Sequence, residues 1–205
     1  MIKNADIHNT LMILNEDKMS SLIDHIGSGR EWGLDGAGNY CYFLFIQEIL
    51  RKKSSGKMYF DMIIQYLRHS KSKYTVLIGN KFLCSLNLKS LIQTHIAQDC
   101  KVTAVYQKVK FKEFAKDDNL LIFDNDHRIR KYVESGSTTE ASNNLEMEVF
   151  VMDTKWLIKT LQMGQAEGIS SNLEKLIMDQ MIKDSNFRYE YTGFLANIHD
   201  ISSYY

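Results

Sequence analysis

The chain has 205 residues, with 25 Lys and Arg balanced by 25 Asp and Glu, and 44% of its residues are hydrophobic. A chain of this size can bury a sizeable core, but with zero net charge it has no overall field to recruit nucleic acid or an anionic membrane. Three cysteines exclude a disulfide framework, and no apolar run reaches the roughly 20 residues of a membrane span. We therefore expect one cytoplasmic domain over 1–205.

In the first third of the chain, apolar runs of strand length alternate with amphipathic segments. The run 10–14 predicts a buried strand, and 19–26 carries apolar residues at helical spacing after Asn15, a candidate N-cap. The Gly-Ser-Gly sequence at 27–29 ends that helix. The aromatic-rich segment 40–50 predicts a strand that continues into a short helix.

The middle of the chain has a clearer rhythm of helix and strand. Helical spacing predicts helices over 59–69 and 88–98, the second capped by Asn87, and continuous apolar runs predict buried strands over 74–79 and 102–106. This alternation is typical of crossover units on a mostly parallel sheet. The sequence therefore predicts an α/β fold.

The predicted elements follow a different order in the second half of the chain. Segments 120–124 and 127–133 flank a tight turn and predict a β-hairpin, whereas the polar run 135–144 predicts an exposed loop. A capping box at 171–174 predicts a helix start. The remaining predicted elements are a strand at 147–152, helices at 154–163 and 173–181, and a last strand at 188–191.

No residue pattern by itself indicates a particular chemistry. The six histidines lack metal-ligand spacing, and His95, on the apolar face of its helix, is interpreted as a structural residue. Phosphate-loop and nucleophile motifs are absent, and the Gly-Ser-Gly at 27–29 follows a helix rather than a strand, so we interpret it as a turn. Composition and periodicity alone predict an α/β domain and no specific function.

Several segments of the sequence also resemble those of a known protein family. Residues 21–35, SLIDHIGSGREWGLD, are similar to the SL-x-DH-x-GSG-x-EW-x-LD stretch of glucose-1-phosphate adenylyltransferases, also called ADP-glucose pyrophosphorylases. Weaker similarities follow in the family's order at 74–105, 126–129 and 147–152. Over essentially its whole length the chain resembles this family, and most closely its regulatory, non-catalytic GlgD-type subunit.

The resemblance implies a nucleotidyltransferase-like, Rossmann-type three-layer sandwich with a mostly parallel central sheet. It also implies a role in glycogen biosynthesis, where catalytic members convert ATP and glucose 1-phosphate to ADP-glucose and pyrophosphate with Mg²⁺ held by carboxylates. Those members begin with a GG-x-G-x-RL phosphate loop and end in a β-helix domain, and neither is matched here. We therefore expect a partial, N-terminally truncated nucleotide-sugar transferase-like domain.

Amides occupy the positions that the resemblance matches to two acidic metal ligands. The family's S-G-D-H turn is matched by 78–81, with Asn80 at the aspartate and Lys81 adding a repelling charge beside it. The W-R-D-V-G motif is matched by 195–199, with Asn197 at the aspartate. An amide oxygen can contact Mg²⁺ but brings no charge. The resemblance therefore implies a degenerate site with no metal, no cofactor and no catalytic residue.

Other matched positions complete a vestigial pocket for a nucleotide or sugar phosphate. Asp61 is all that remains of the nucleotide motif G-T-A-D, and Glu134, followed by Ser135, is all that remains of the sugar-phosphate motif E-K-P. Glu146 stands where the motif SMGIYVF has its serine. The predicted pocket residues are Asp61, Gly79, Asn80, Glu134, Ser135, Glu146 and Asn197.

The resemblance also implies a partner. We expect a hetero-oligomer with a catalytic glucose-1-phosphate adenylyltransferase subunit, and neither nucleic acid nor membrane as partner. Two alternatives stay open: an active sugar-phosphate nucleotidyltransferase, and a truncated remnant that acts only as an interaction module. Because the family's first strand is central in the sheet, its loss would expose strand edges unless a partner or another segment, such as 40–45, fills the place.

Overall fold

The computed structural model describes residues 2–15, 24–25, 40–109, 115, 117–136 and 143–197. The chain divides into two compact units, the first made of 1–72 and 158–176 and the second of 73–157 and 177–205. The single domain over 1–205 stays a prediction. Of the predicted helix 19–26 only residues 24 and 25 are described, both helical. The rest of that helix and the stretch 27–35 lie outside the described residues.

Strands and helices alternate along the described part of the chain. The strands are β1 Asn9–Leu14, β2 Tyr40–Phe45, β3 Tyr74–Ile78, β4 Phe82–Cys84, β5 Val102–Lys108, β6 Asn119–Phe123, β7 Ile129–Glu134, β8 Asn144–Asp153, β9 Asn186–Glu190 and β10 Leu195–Asn197. The helices are α1 Ile46–Ser54, α2 Asp61–Ser70, α3 Leu88–Gln98, α4 Thr154–Ala166 and α5 Leu173–Met181. No helix in these ranges combines the length and apolar character that crossing a membrane requires.

The first unit contains a parallel pair of strands and the start of helix α2. β1 and β2 pair in register, and both predicted strands are confirmed. Helix α2 begins two residues later than predicted, because Tyr59 and Phe60 belong to the core. The Tyr59 hydroxyl donates to the Gly164 carbonyl at 2.9 Å, and the Phe60 N–H donates to Gln165 Oε1 at 2.9 Å. Buried polar groups at this turn are thus satisfied before the helix starts.

The second unit is built on a six-stranded mixed sheet. β8 pairs antiparallel with both β3 and β5, whereas β5 and β9 are parallel neighbours. β3, β5 and β9 therefore run in one direction, and for β3 and β5 this is the arrangement that the predicted crossover units require. The prediction of mostly parallel pairing is corrected: the inserted β8 makes most of the ladders in this sheet antiparallel.

The β6–β7 hairpin is confirmed, but its turn is longer than predicted. Asp124 Oδ1 accepts hydrogen bonds from the N–H groups of Asp126 and Arg128, at 3.0 and 2.9 Å. His127, which was expected to start the second strand, lies in this turn with a φ of 66°. The Asp124 side chain closes the turn by accepting hydrogen bonds from backbone N–H groups in place of a backbone carbonyl. The pattern of apolar residues in the two strands does not reveal this.

Further details differ from the sequence predictions. β8 begins at Asn144, inside the segment predicted as a loop, and residues 137–142 of that segment lie outside the described part. Helix α5 is capped by Asn172, whose Oδ1 accepts from Lys175 N at 3.0 Å, and not by Ser171. The short strands β4 and β10 were not predicted at all, because three residues carry too little periodicity.

His95 lies in a buried polar cluster of the second unit. It is 1% exposed, and its Nδ1 is 2.9 Å from Thr103 Oγ1, while Cys100 Sγ is 3.3 Å from the same hydroxyl. The Tyr74 ring meets the imidazole edge-on at 5.3 Å between centroids. In this part of the chain His95 Nε2 is buried without a hydrogen-bond partner. The geometry confirms a structural histidine that has no acceptor for a second proton.

We expect the free energy of unfolding to fall when the pH is lowered from 7.5 to 5.5. Burial lowers the pKa of His95 in the folded chain, so the unfolded chain binds the proton more readily. The contribution of neutral, buried His95 to stability is complete above the ordinary histidine pKa of about 6.5. It is lost as the pH falls from there toward the lowered pKa of His95 in the folded chain. Urea titrations of His95→Gln should show a smaller pH effect, whereas the exposed-site control His69→Gln should behave like wild type. Equal pH dependence of all three would contradict this.

Candidate functional site

The turn after β3 and the strand β10 come together in the second unit. β10 pairs antiparallel with β4, which places Asn197 opposite Phe82, the residue after Lys81. Asp118 comes directly before β6. Through this pairing, the two segments that the sequence matched to metal-binding motifs lie beside each other and beside a carboxylate that no motif indicated.

Asp118 is the centre of a polar cluster, which we call the Asp118 cluster and define as Lys81, Ala115, Asp117, Asp118 and Asn197. The Asp118 side chain is fully buried, and its Oδ1 forms a short ion pair with Lys81 Nζ. Its Oδ2 accepts from Ala115 N at 2.7 Å and from Asn197 Nδ2 at 2.8 Å. Both oxygens of the carboxylate are therefore engaged by this chain's own donors.

The charges in the Asp118 cluster compensate each other. The Lys81 side chain is only 15% exposed, and its Nζ also lies 3.3 Å from Asp117 Oδ1. Burial by itself lowers the pKa of Lys81, but the hydrogen bonds and attraction of Asp118 and Asp117 outweigh burial and raise the pKa overall. Lys81 is therefore an ammonium ion at neutral pH. The positive charge of Lys81, which was expected to repel a metal ion, is neutralised by Asp118.

Gly79 and Glu146 each contact Glu148, at an irregular point of β8. Gly79 N donates to the Glu148 carbonyl at 2.7 Å, and Glu148 N donates to Glu146 Oε1 at 2.6 Å. Glu148 has a φ of 54°, and the β5–β8 register shifts nearby, between Ala104 and Tyr106. A Cβ on Gly79 would lie 2.8 Å from Glu148 Cδ and closer still to two other atoms of that side chain. The close approach of this turn to β8 is therefore sufficient to explain why position 79 is a glycine, and no bound ligand is needed as the reason.

Of the other predicted pocket residues in the second unit, one borders the Asp118 cluster and two are exposed. Ser135 donates its N–H to the Asp118 carbonyl at 2.8 Å, so it borders the Asp118 cluster. Asn80 and Glu134 are both exposed, one between Gly79 and Lys81 and the other at the end of β7. The structure thus brings Ser135 and Asn197 together at Asp118.

Asp61 belongs to the first unit, whereas the other six predicted pocket residues belong to the second. It begins α2, and its Oδ1 accepts from Gln165 Nε2 at 3.3 Å. The same Gln165 side chain holds Phe60 N. The Gln165 side chain thus binds both Asp61 and the residue before it at the start of α2, and the role of Asp61 in a ligand pocket stays a prediction.

Sequence reasoning missed Asp117 and Asp118. The only available signal was a pair of adjacent acidic residues directly before the apolar run of β6. Acidic residues at such a position usually face water, and only the tertiary fold shows that the second of them is buried against Lys81.

The donors present do not fit the Mg²⁺ site that the resemblance implies for catalytic members. Asn80 is an exposed amide, and Asn197 uses its Nδ2 on Asp118. The cation that Asp118 contacts is the Lys81 ammonium. Within the described ranges no three His, Cys, Asp or Glu side chains stand close enough to hold a metal ion together.

Comparison with protein families gives one match over most of the sequence. The family described as "Nucleotidyl transferase" matches residues 1–195. Two curated relatives are named "Glycogen biosynthesis protein GlgD". The Bacillus subtilis protein is 21% identical over 205 residues, covering 98% of this chain and 49% of the relative, and the Geobacillus stearothermophilus protein is 25% identical over 107 residues, covering 51% and 31%. The chain thus spans about half, or less, of the length of these relatives.

Solved structures share the fold at low sequence identity. A putative glucose-1-phosphate thymidylyltransferase from Bacillus anthracis, crystallised with a sucrose, has a TM-score of 0.71 at 13% identity, covering 99% of this chain and 76% of that one. HddC from Yersinia pseudotuberculosis has a TM-score of 0.62 at 13% identity, covering 100% and 79%. Together these matches confirm the resemblance found in the sequence motifs and the nucleotidyltransferase-like α/β fold.

Proposed function

The chain belongs to the nucleotidyl transferase family, and we propose that it is a catalytically inactive, regulatory member. In this proposal it acts in glycogen biosynthesis beside a catalytic glucose-1-phosphate adenylyltransferase subunit. The curated relatives named for glycogen biosynthesis support the pathway. The observation that carries the inactivity is the Asp118 cluster, in which the amide of Asn197 stands at one of the two matched metal positions and the Lys81 ammonium, next to the other, is paired with Asp118.

The physical argument concerns charge. Adenylyl transfer moves an adenylyl group from ATP to an anionic sugar phosphate with release of pyrophosphate, and divalent cations stabilise the charge that spreads over the phosphate oxygens. Asn80 and Asn197 contribute no negative charge to hold such a cation. Asp118 is the buried carboxylate at this place, and its charge is balanced by Lys81. We infer that the chain alone does not assemble a Mg²⁺–nucleotide complex and that it acts through contact with its partner subunit.

A pyrophosphorolysis assay on ADP-glucose tests the proposal. The chain is assayed alone and after mixing with a catalytic subunit, with an inert protein at equal concentration as the control. We expect no turnover by the chain alone and an altered rate or effector response of the mixture. Turnover by the chain alone would favour the active enzyme, and silence in both arms would favour the remnant.

Nucleotide binding provides an independent measurement. We expect isothermal titration calorimetry with ATP to show weak binding or none, equally with and without Mg²⁺, because the acidic ligands are lacking. Micromolar binding that depends on Mg²⁺ would contradict the proposal. Binding to the catalytic subunit, measured in the same instrument without nucleotide, separates a failed partner prediction from a failed prediction of inactivity.

A further inference from the structure

We propose that the open edge of strand β3 pairs antiparallel with β3 of a second copy of this chain, so that two sheets join across a two-fold axis. β3 pairs with β8 along one edge, and in the described part of the chain no strand pairs with its other edge. The proposal rests on the register of β3 and on its lack of charge, and it does not depend on the proposed regulatory role.

The hydrogen bonds to β8 determine which backbone groups of β3 face the open edge. At the two ends of the pairing, Lys73 O accepts at 3.0 Å from the residue after β8, and Gly79 N donates at 2.7 Å to a carbonyl of β8. The register between them is regular, and hydrogen-bonded and non-hydrogen-bonded pairs alternate in antiparallel strands. The odd-numbered residues therefore bond to β8, and the N–H and C=O groups that point away from it are those of Tyr74, Val76 and Ile78.

β3 lacks the features that normally protect an edge strand. Natural edge strands usually carry charged residues, proline or a bulge, or they are covered. β7 and β9, at the ends of the hydrogen-bonded strand order, carry charged side chains such as Arg130 and Arg188. On β9 the Asn186 side chain also bonds to the N–H and the carbonyl of Ile129, at 2.7 and 3.0 Å. β3, with the sequence YTVLI, has neither a charge nor a proline, and its register with β8 contains no bulge.

A second copy of β3 matches this edge. With the two-fold axis at Val76, the outward-facing positions meet as Tyr74 opposite Ile78 and Val76 opposite Val76, and each pair can exchange both of its backbone hydrogen bonds. Pairs of aromatic and β-branched side chains stabilise antiparallel strands. No charges are opposed within the strand, and the zero net charge of the chain gives no overall repulsion between two copies.

The test uses Val76→Pro in the complete chain. The Val76 N–H points away from β8, so proline removes a donor of the open edge and no hydrogen bond to β8. Val76→Thr is the matched control, because it keeps both the N–H and the β-branched shape. Size-exclusion chromatography with light scattering, over a range of loading concentrations, should show dimers of wild type and Val76→Thr. We expect Val76→Pro to raise the dissociation constant of the dimer by about tenfold or more.

Three results would overturn the proposal. A wild-type chain that stays monomeric at every concentration does not pair in this way. If Val76→Pro forms dimers as readily as wild type, the copies associate through another surface. If Val76→Thr loses the dimer as fully as Val76→Pro, the side chain and not the backbone edge makes the contact.

Amide exchange in the wild-type chain covers the case in which Val76→Pro does not fold. Followed residue by residue by NMR, the amides of Tyr74, Val76 and Ile78 should exchange more slowly as the protein concentration rises. The amides of Thr75 and Leu77, which bond to β8, should exchange slowly at every concentration. If exchange of the first three amides does not change with concentration, the proposal is wrong, because the edge is then either open or covered by another part of the same chain.

Discussion

Replacing Asp118 by alanine should lower the free energy of unfolding by about 3–5 kcal/mol, the cost of breaking a buried ion pair by removing one partner. The Lys81 ammonium would keep its charge in a largely buried place, and the N–H groups of Ala115 and Asn197 would lose their acceptor. Denaturant titration at pH 7 with circular dichroism measures the change.

Asp117→Ala is the matched control for this substitution. Asp117 is adjacent in sequence and contacts the same ammonium, but its side chain is 82% exposed. Exposed ion pairs contribute little because water screens them, so stability should stay close to that of wild type. Lys81→Met combined with Asp118→Ala should cost less than the sum of the single changes. Equal effects of Asp117→Ala and Asp118→Ala, or strict additivity, would show that the pair is not a buried unit.

Replacing Gly79 by alanine should lower the free energy of unfolding by about 1–3 kcal/mol, as overpacking of a tight contact does. The added methyl group would overlap the Glu148 side chain, and the hydrogen bond from Gly79 N to the Glu148 carbonyl limits how far the two segments can separate. Thermal or urea unfolding followed by fluorescence measures the change.

A second substitution distinguishes overlap from other effects. In a Glu148→Gly background the overlapping side chain is absent and the positive φ at this position costs nothing. Gly79→Ala should then be nearly neutral. If it remains as destabilising as in the wild-type background, the glycine is required for a reason other than the approach of β8.

Periodicity was sufficient for elements whose burial follows their own sequence. Helix α3 begins and ends where its pattern predicts, and Asn87 caps it by accepting from Ser90 N at 3.1 Å. Strands β3 and β5 are continuous apolar runs, and both were predicted. These signals are local, because a helix or a buried strand needs the same residue types wherever it is placed in the fold.

Features that depend on distant partners were not accessible to the same reasoning. The antiparallel insertion of β8 between β3 and β5 depends on connections that the strand pattern does not encode. The strands β4 and β10 are recognisable only through each other. Similarly, the motifs placed Asn197 at a metal position, but its actual partner, Asp118, is 79 residues away along the chain.

By itself, the sequence determined the α/β class, the family resemblance and the lack of acidic residues at the two matched metal positions, because these depend on residue identity and local order. Only the tertiary structure decided what stands there instead. Lys81 and Asn197 converge on a buried carboxylate because β4 pairs with β10 beside the start of β6. The attraction between opposite charges depends on their separation in space, over a few ångströms. The separation of two residues along the sequence does not give that distance.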